Sequence, residues 1–216
     1  MKRVYLSLVL LLLTGMVSAQ DSVWVAEETG KLSGIFGSFV MATGDFGDDE
    51  GEGAGAAKNG FGGGLMFYSP LAHSPNMSVG FEARLTMNPI DISPLEDFYE
   101  DVEFDAGNYT NVWLLGGIKL DASSTISVRG MAGVVLAGFP EIEGDDGYDK
   151  VTLSADSEAT FGYGFGGTIR LSRALFVDVT YLACKPEFEL ESSASSATAK
   201  VEQEESMVAI SLGIAF

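Results

Sequence analysis

The chain has 216 residues and carries 31 acidic against 12 basic side chains, a formal charge of −19. That imbalance excludes a nucleic-acid partner, whose phosphates would be repelled, and a single cysteine, Cys184, excludes an internal disulfide. Glycine is abundant, and the apolar residues arrive in short alternating bursts, a composition that suits one all-β domain.

Met1 to Ala19 reads as a cleavable signal peptide. Lys2 and Arg3 give its positive start, Val4 to Val17 its apolar middle and Val17-Ser18-Ala19 its small-residue cleavage site. Removing the two bases leaves 10 against 31 acids, a mature charge of −21. Gln20, not a cysteine, directly follows the cleavage site, so a lipid-anchored form is not expected. Residues 20–30 form a polar leader placed in the periplasm, and residues 31–216 form the remaining domain. No stretch after the signal is long and apolar enough for a transmembrane helix.

The first expected strand, about Lys31 to Thr43, has an ambiguous phase. Ile35, Phe39 and Met41 share one parity, and Leu32, Phe36 and Val40 the other. An acidic Gly-rich loop follows to Gly60. The second strand, Phe61 to Ser69, sets Phe61, Leu65 and Phe67 against Gly62, Gly64 and Met66. Pro70 and Pro75 bracket a turn, because proline cannot join a ladder interior. The third strand alternates cleanly: Met77, Val79, Phe81, Ala83, Leu85 and Met87 against Ser78, Gly80, Glu82, Arg84, Thr86 and Asn88.

Pro89 to Asn108 is a second loop, with seven carboxylates between Asp91 and Asp105. The fourth strand, Tyr109 to Leu120, and the fifth, Thr125 to Ala137, are joined by a short turn. Phe139 to Asp149 is a third acidic loop. The sixth strand keeps one parity from Val151 to Leu171, and Ser172-Arg173 turns into a seventh from Ala174 to about Lys185. Pro186 to Glu205 is the fourth acidic loop. The last strand, Met207 to Phe216, places Val208, Ile210, Leu212, Ile214 and Phe216 on one face and mostly small residues on the other.

Eight strands result, with long acidic and short connections in strict alternation. This is the rhythm of an up-and-down antiparallel barrel with all long loops at one end. The signal peptide, the loop rhythm, the alternation and the terminal Phe216 together resemble the small eight-stranded outer-membrane β-barrel proteins of Gram-negative bacteria, the class of the OmpA membrane domain and OmpX. The resemblance implies an all-β, eight-stranded transmembrane barrel in the cell outer membrane. It also implies contact with outer-membrane lipid and recognition of Phe216 by the barrel-insertion machinery. It specifies no extracellular partner and no cofactor.

With the apolar parity facing lipid, every mid-strand charge falls on the other parity: Glu82, Arg84, Lys119, Arg129, Arg170 and Asp178. A basic side chain at mid-depth in lipid would cost about 2–4 kcal/mol, so energy fixes the phase. Inside, the Ser172-Arg173 turn makes Thr168 or Arg170 the expected neighbour of Asp178, with Arg170 at least a diagonal contact, and Glu82 is expected beside Arg84, Lys119 or Arg129. The set has a formal excess of two positive charges, which Glu158, Asp121 or water is expected to offset. A lumen of this size is filled by side chains, so the charges are expected to plug it and fix register. A gated ion path is the functional alternative, and a soluble lipocalin-type barrel the architectural one.

Phe67, Phe161, Tyr163, Tyr181 and Phe216 are expected in interfacial girdles. The glycine runs lie inside strands and lack the helix and lysine of a phosphate loop. His73, the single histidine, falls in a turn on the periplasmic side, opposite to where an outer-membrane lipid-modifying enzyme would need it; no catalytic role is expected. The acidic loops are expected to be solvated and flexible, with weak divalent-cation binding as the alternative. Their spacing does not match a calcium loop. Cys184 is expected buried and inert.

Overall fold

The computed structural model describes residues 31–48, 55–99 and 102–216. The expected signal peptide and leader lie outside the described residues, as do parts of the first and second long loops. In chain order the strands are β1 (Leu32–Thr43), β2 (Gly60–Leu71), β3 (Ser74–Pro89), β4 (Glu103–Ala106), β5 (Asn108–Asp121), β6 (Ile126–Gly138), β7 (Ile142–Asp145), β8 (Lys150–Ala155), β9 (Glu158–Arg170), β10 (Leu175–Cys184), β11 (Glu187–Ser192), β12 (Ser195–Glu202) and β13 (Glu205–Ala215), with one short helix α1 (Ser93–Phe98).

Eight of these strands close into an antiparallel barrel in the order β1-β13-β10-β9-β6-β5-β3-β2. Closure pairs β1 with β13 from Gly34↔Ala215 to Thr43↔Ser206, and the Phe216 amide donates to the Ser33 carbonyl at 2.9 Å. Short serine turns fix the register. The Ser123 hydroxyl accepts from the amides of Thr125 and Ile126, and the Ser172 hydroxyl from those of Ala174 and Leu175. Among the described residues no helix is long and apolar enough to cross a membrane.

The phase agrees with the energetic expectation. Leu114, Val128, Phe165 and Leu212 are exposed on the outside, whereas Glu82, Arg84, Lys119, Arg129 and Asp178 are buried inside. The undecided first strand turns Leu32, Phe36 and Val40 inward and Ile35 and Phe39 outward. The named aromatics all face outward. Phe67 is half-buried because it is sandwiched, 5.1 Å from Phe81 and 6.2 Å from Phe216 between ring centroids. The other end of the barrel carries Phe39 against Phe61 and Tyr163 against Phe165.

The second, third and fourth long loops depart from the flexible, solvated segments expected. They build a second antiparallel sheet, β12-β11-β8-β7-β4, at the end of the barrel opposite the short turns. The sixth expected strand is therefore two. It breaks at Asp156-Ser157, where β8 pairs with β7 and β11 while β9 pairs with β6 and β10. Parity carries across the break, so alternation alone does not reveal it.

Candidate functional site

The middle of the lumen is a closed ion cluster. Arg129 on β6 donates to Asp178 on β10 through Nη1 to Oδ1 at 2.5 Å and Nη2 to Oδ2 at 2.9 Å. Its Nε and Nη2 also reach Glu82 Oε2 at 3.2 and 3.1 Å. Arg84 holds the other oxygen of Glu82, with Nε at 2.9 Å and Nη2 at 2.7 Å, and lies 4.6 Å above the Phe36 ring. The hydroxyls of Thr168 and Thr180 donate to Asp178 at 2.7 and 2.6 Å. Two bases thus meet two acids, and the four side chains are at most 1% exposed. Burying charge is tolerable only with such pairing; of the two guanidinium groups, only Arg84 leaves a buried nitrogen, Nη1, without an acceptor. A Cβ on Gly166 would sit 2.8 Å from Arg129 Cζ, so this glycine makes room for the guanidinium.

The remaining expected members are elsewhere. Lys119 pairs with Asp121 at 2.5 Å, toward the short turns. Arg170 is a register diagonal of Asp178, whose direct partner is Thr168, but its side chain donates to the Lys31 carbonyl instead. Lys119 does not reach Glu82. The expected positive excess disappears through Asp121 and the departure of Arg170; Glu158 is exposed and takes no part.

Apolar layers lie on both sides of the cluster. Toward the short turns stand Leu32, Phe36, Met66, Tyr68 and Phe176. Toward the loops stand Val40, Trp113, Leu115, Met131, Leu182 and Met207, among others. The outer mouth is then covered by a run of rings: Phe46, Tyr109, Phe139 and Phe188 follow one another at 5.0, 5.6 and 5.3 Å. Phe188 reaches the mouth from β11, so the loop sheet is packed onto the barrel.

Sequence reasoning missed Glu205. It lies at the loop end of β13, fully buried, and accepts from Asn111 Nδ2 at 2.5 Å. Cys184, buried and free, has its sulfur 3.9 Å from the same carboxylate. The signal was present: Glu205 shares the inward parity of Met207, Ala209 and Ser211, but its acidic neighbours disguise it as loop. Thr168 was legible from the turn register as a neighbour of Asp178, whereas Thr180, which completes the central cluster, was readable only as an inward position.

On its outer face the loop sheet is acidic. Glu187, Glu189 and Glu191 alternate along β11, and with Asp156, Glu158 and Lys200 they line a groove of about 260 Å³. Lys200 bridges Glu187 at 2.6 Å, a bond that holds its ammonium above the ordinary lysine pKa. The amides of Asp149 and Tyr148 bond to Asp146 and hold its carboxyl below the usual range. Among the described residues no three His, Cys, Asp or Glu side chains are grouped to hold a metal ion. His73 is exposed in the β2–β3 turn, away from this face.

No protein-family model matches the sequence, and no curated protein does. Solved structures do. The crystal structure of Ail, the attachment invasion locus protein of Yersinia pestis, matches with a TM-score of 0.52 at 14% identity, over 88% of this chain and 99% of that one. The same protein in complex with the heparin analogue sucrose octasulfate matches with a TM-score of 0.51 at 12% identity, over 86% and 99%. A major outer membrane protein from Thermus thermophilus gives 0.49 at 15% identity, over 87% and 98%. At these identities the likeness shows a shared fold, that of the small eight-stranded outer-membrane β-barrels.

Proposed function

We propose that this outer-membrane barrel is a sealed anchor that displays an acidic protein-binding sheet outside the cell. The observation that carries the reading is the filling of the lumen. A neutral ion cluster lies between two apolar layers, under a lid of four rings. An ion crossing either apolar layer would shed its water among side chains that offer nothing in exchange. The rival reading, a small channel, has the central charges in its favour and both apolar layers against it.

What remains available to a partner is the loop sheet. Its outermost strands, β12 and β4, each pair on one side only, and an unpaired strand edge is a template for an incoming strand. The heparin analogue bound by Ail is a polyanion. The carboxylates of β11 suit a partner of the opposite sign, a basic protein surface. Phe216, exposed at the closing strand, suits recognition by the insertion machinery.

Two measurements test this. A broad-specificity protease added to intact cells should cut at the β11–β12 tip, between Ser192 and Ala199; cleavage only after lysis would reverse the orientation. Planar bilayers containing the purified protein should stay silent, also with Arg129→Met. Regular conductance steps would replace the anchor by a channel.

A further inference from the structure

Three carboxylates are fully enclosed among the described residues: Glu82, Asp178 and Glu205. The first two share Arg84 and Arg129. Glu205 has no base. Its Oε2 accepts from Asn111 and lies near the Cys184 sulfur, while its Oε1 accepts nothing. Asn111 Oδ1, on the side chain that touches it, is likewise buried without a donor, and so is Asn88 Oδ1 on the neighbouring strand.

The bases can be counted out from Lys31 onward. Lys58, Lys150, Lys185 and Lys200, those at the loop end, bridge Asp91, Glu143, Glu202 and Glu187 on the surface. Arg84 and Arg129 are taken up by the central cluster. Lys31, His73, Lys119, Arg170 and Arg173 belong to the opposite end of the strands. Residues 49–54 and 100–101 contain no Lys, Arg or His. No side chain of the barrel domain can therefore neutralise Glu205, and an unpaired buried charge is among the costliest things a fold can hold.

We propose that Glu205 and Asn111 bind an alkali-metal cation, of the sodium class, at the outer end of the lumen. The donors are hard oxygens, which select alkali and alkaline-earth ions over softer metals. One carboxylate against one monovalent ion leaves the pair neutral. Calcium sites usually draw on several carboxylates among six to eight oxygens, and here there is one. The ion is enclosed between the apolar outer layer and the ring lid, so it serves as a structural counter-charge that ties β13 to β5 across the barrel mouth.

The test is urea unfolding of the purified, folded protein in detergent, at constant ionic strength, in sodium chloride against choline chloride. Choline is too large to enter. The unfolding midpoint should rise with sodium and saturate, and Glu205→Gln should remove the sodium dependence. Equal midpoints for the wild type in sodium and choline would overturn the proposal, leaving a protonated acid or a bound water at Glu205. A midpoint that responds to calcium chloride and not to sodium would overturn the assignment to a monovalent ion. The wild-type comparison decides the matter even if the variant fails to fold.

Discussion

Arg129 reaches past β9 to Asp178 through two parallel hydrogen bonds of 2.5 and 2.9 Å, with Glu82 on the other side of the same guanidinium. Removing one partner strands a buried charge. Asp178→Leu should therefore cost about 3–5 kcal/mol. The double variant Arg129→Leu with Asp178→Leu leaves Arg84 and Glu82 as a neutral pair, so it should lose less than the two single variants summed. Urea unfolding midpoints of the four proteins measure this. Strict additivity would mean that the two groups do not act as a unit.

The lipid-facing phase makes a depth-dependent prediction on β5. Leu114 and Leu120 both point outward and are 51% and 45% exposed. Leu114 lies near the middle of the strand, Leu120 near its end. Leu114→Arg should cost about 2–4 kcal/mol and Leu120→Arg about 0–1 kcal/mol, because the bilayer centre penalises charge most. Unfolding in lipid vesicles reads the difference. Equal costs would mean that this face does not meet hydrocarbon.

How much of this was legible follows from what alternation records. Parity reports which side of a strand a residue occupies, so the inward placement of Arg84, Arg129 and Asp178 is legible from alternation alone. It does not report height or reach. Arg170 shares the inward parity of Asp178 and is its diagonal neighbour, yet its long side chain turns to the Lys31 carbonyl. In β1 both faces are apolar, because Phe36 and Val40 fill the two apolar layers while Ile35 and Phe39 meet lipid; parity had nothing to distinguish. The loop sheet was hidden for another reason. In β11 the outer positions are Glu187, Glu189 and Glu191, and strong acidity in short segments reads as solvated loop. Phe188, whose ring closes the mouth, and Leu190 are the apolar residues that alternate with those acids.

Packing near the short turns depends on a missing side chain. A Cβ on Gly213 would fall 2.1 Å from Phe176 Cζ, and Phe176 is fully buried. Gly213→Ala should cost about 1–3 kcal/mol by overpacking. Phe176→Leu in the same chain should recover part of that loss, since the smaller side chain vacates the space. A double variant no more stable than Gly213→Ala alone would show that the strain lies in the backbone.

The terminal residue separates stability from assembly. Phe216 is 70% exposed, makes one edge contact with Phe67 and ties its amide to Ser33 through the backbone. Replacing its side chain leaves that backbone bond in place and removes one aromatic pair, worth about 0.5–1.5 kcal/mol. Phe216→Ala should therefore refold in detergent almost as well as the wild type. If the insertion machinery reads this residue, the same variant should accumulate in cells with a much lower folded fraction, measured as the share that resists denaturation in unboiled samples. Equal folded fractions in cells would show that the aromatic serves packing alone. A matching loss in both settings would show that its contact with Phe67 contributes more to the barrel than one edge-on pair usually does.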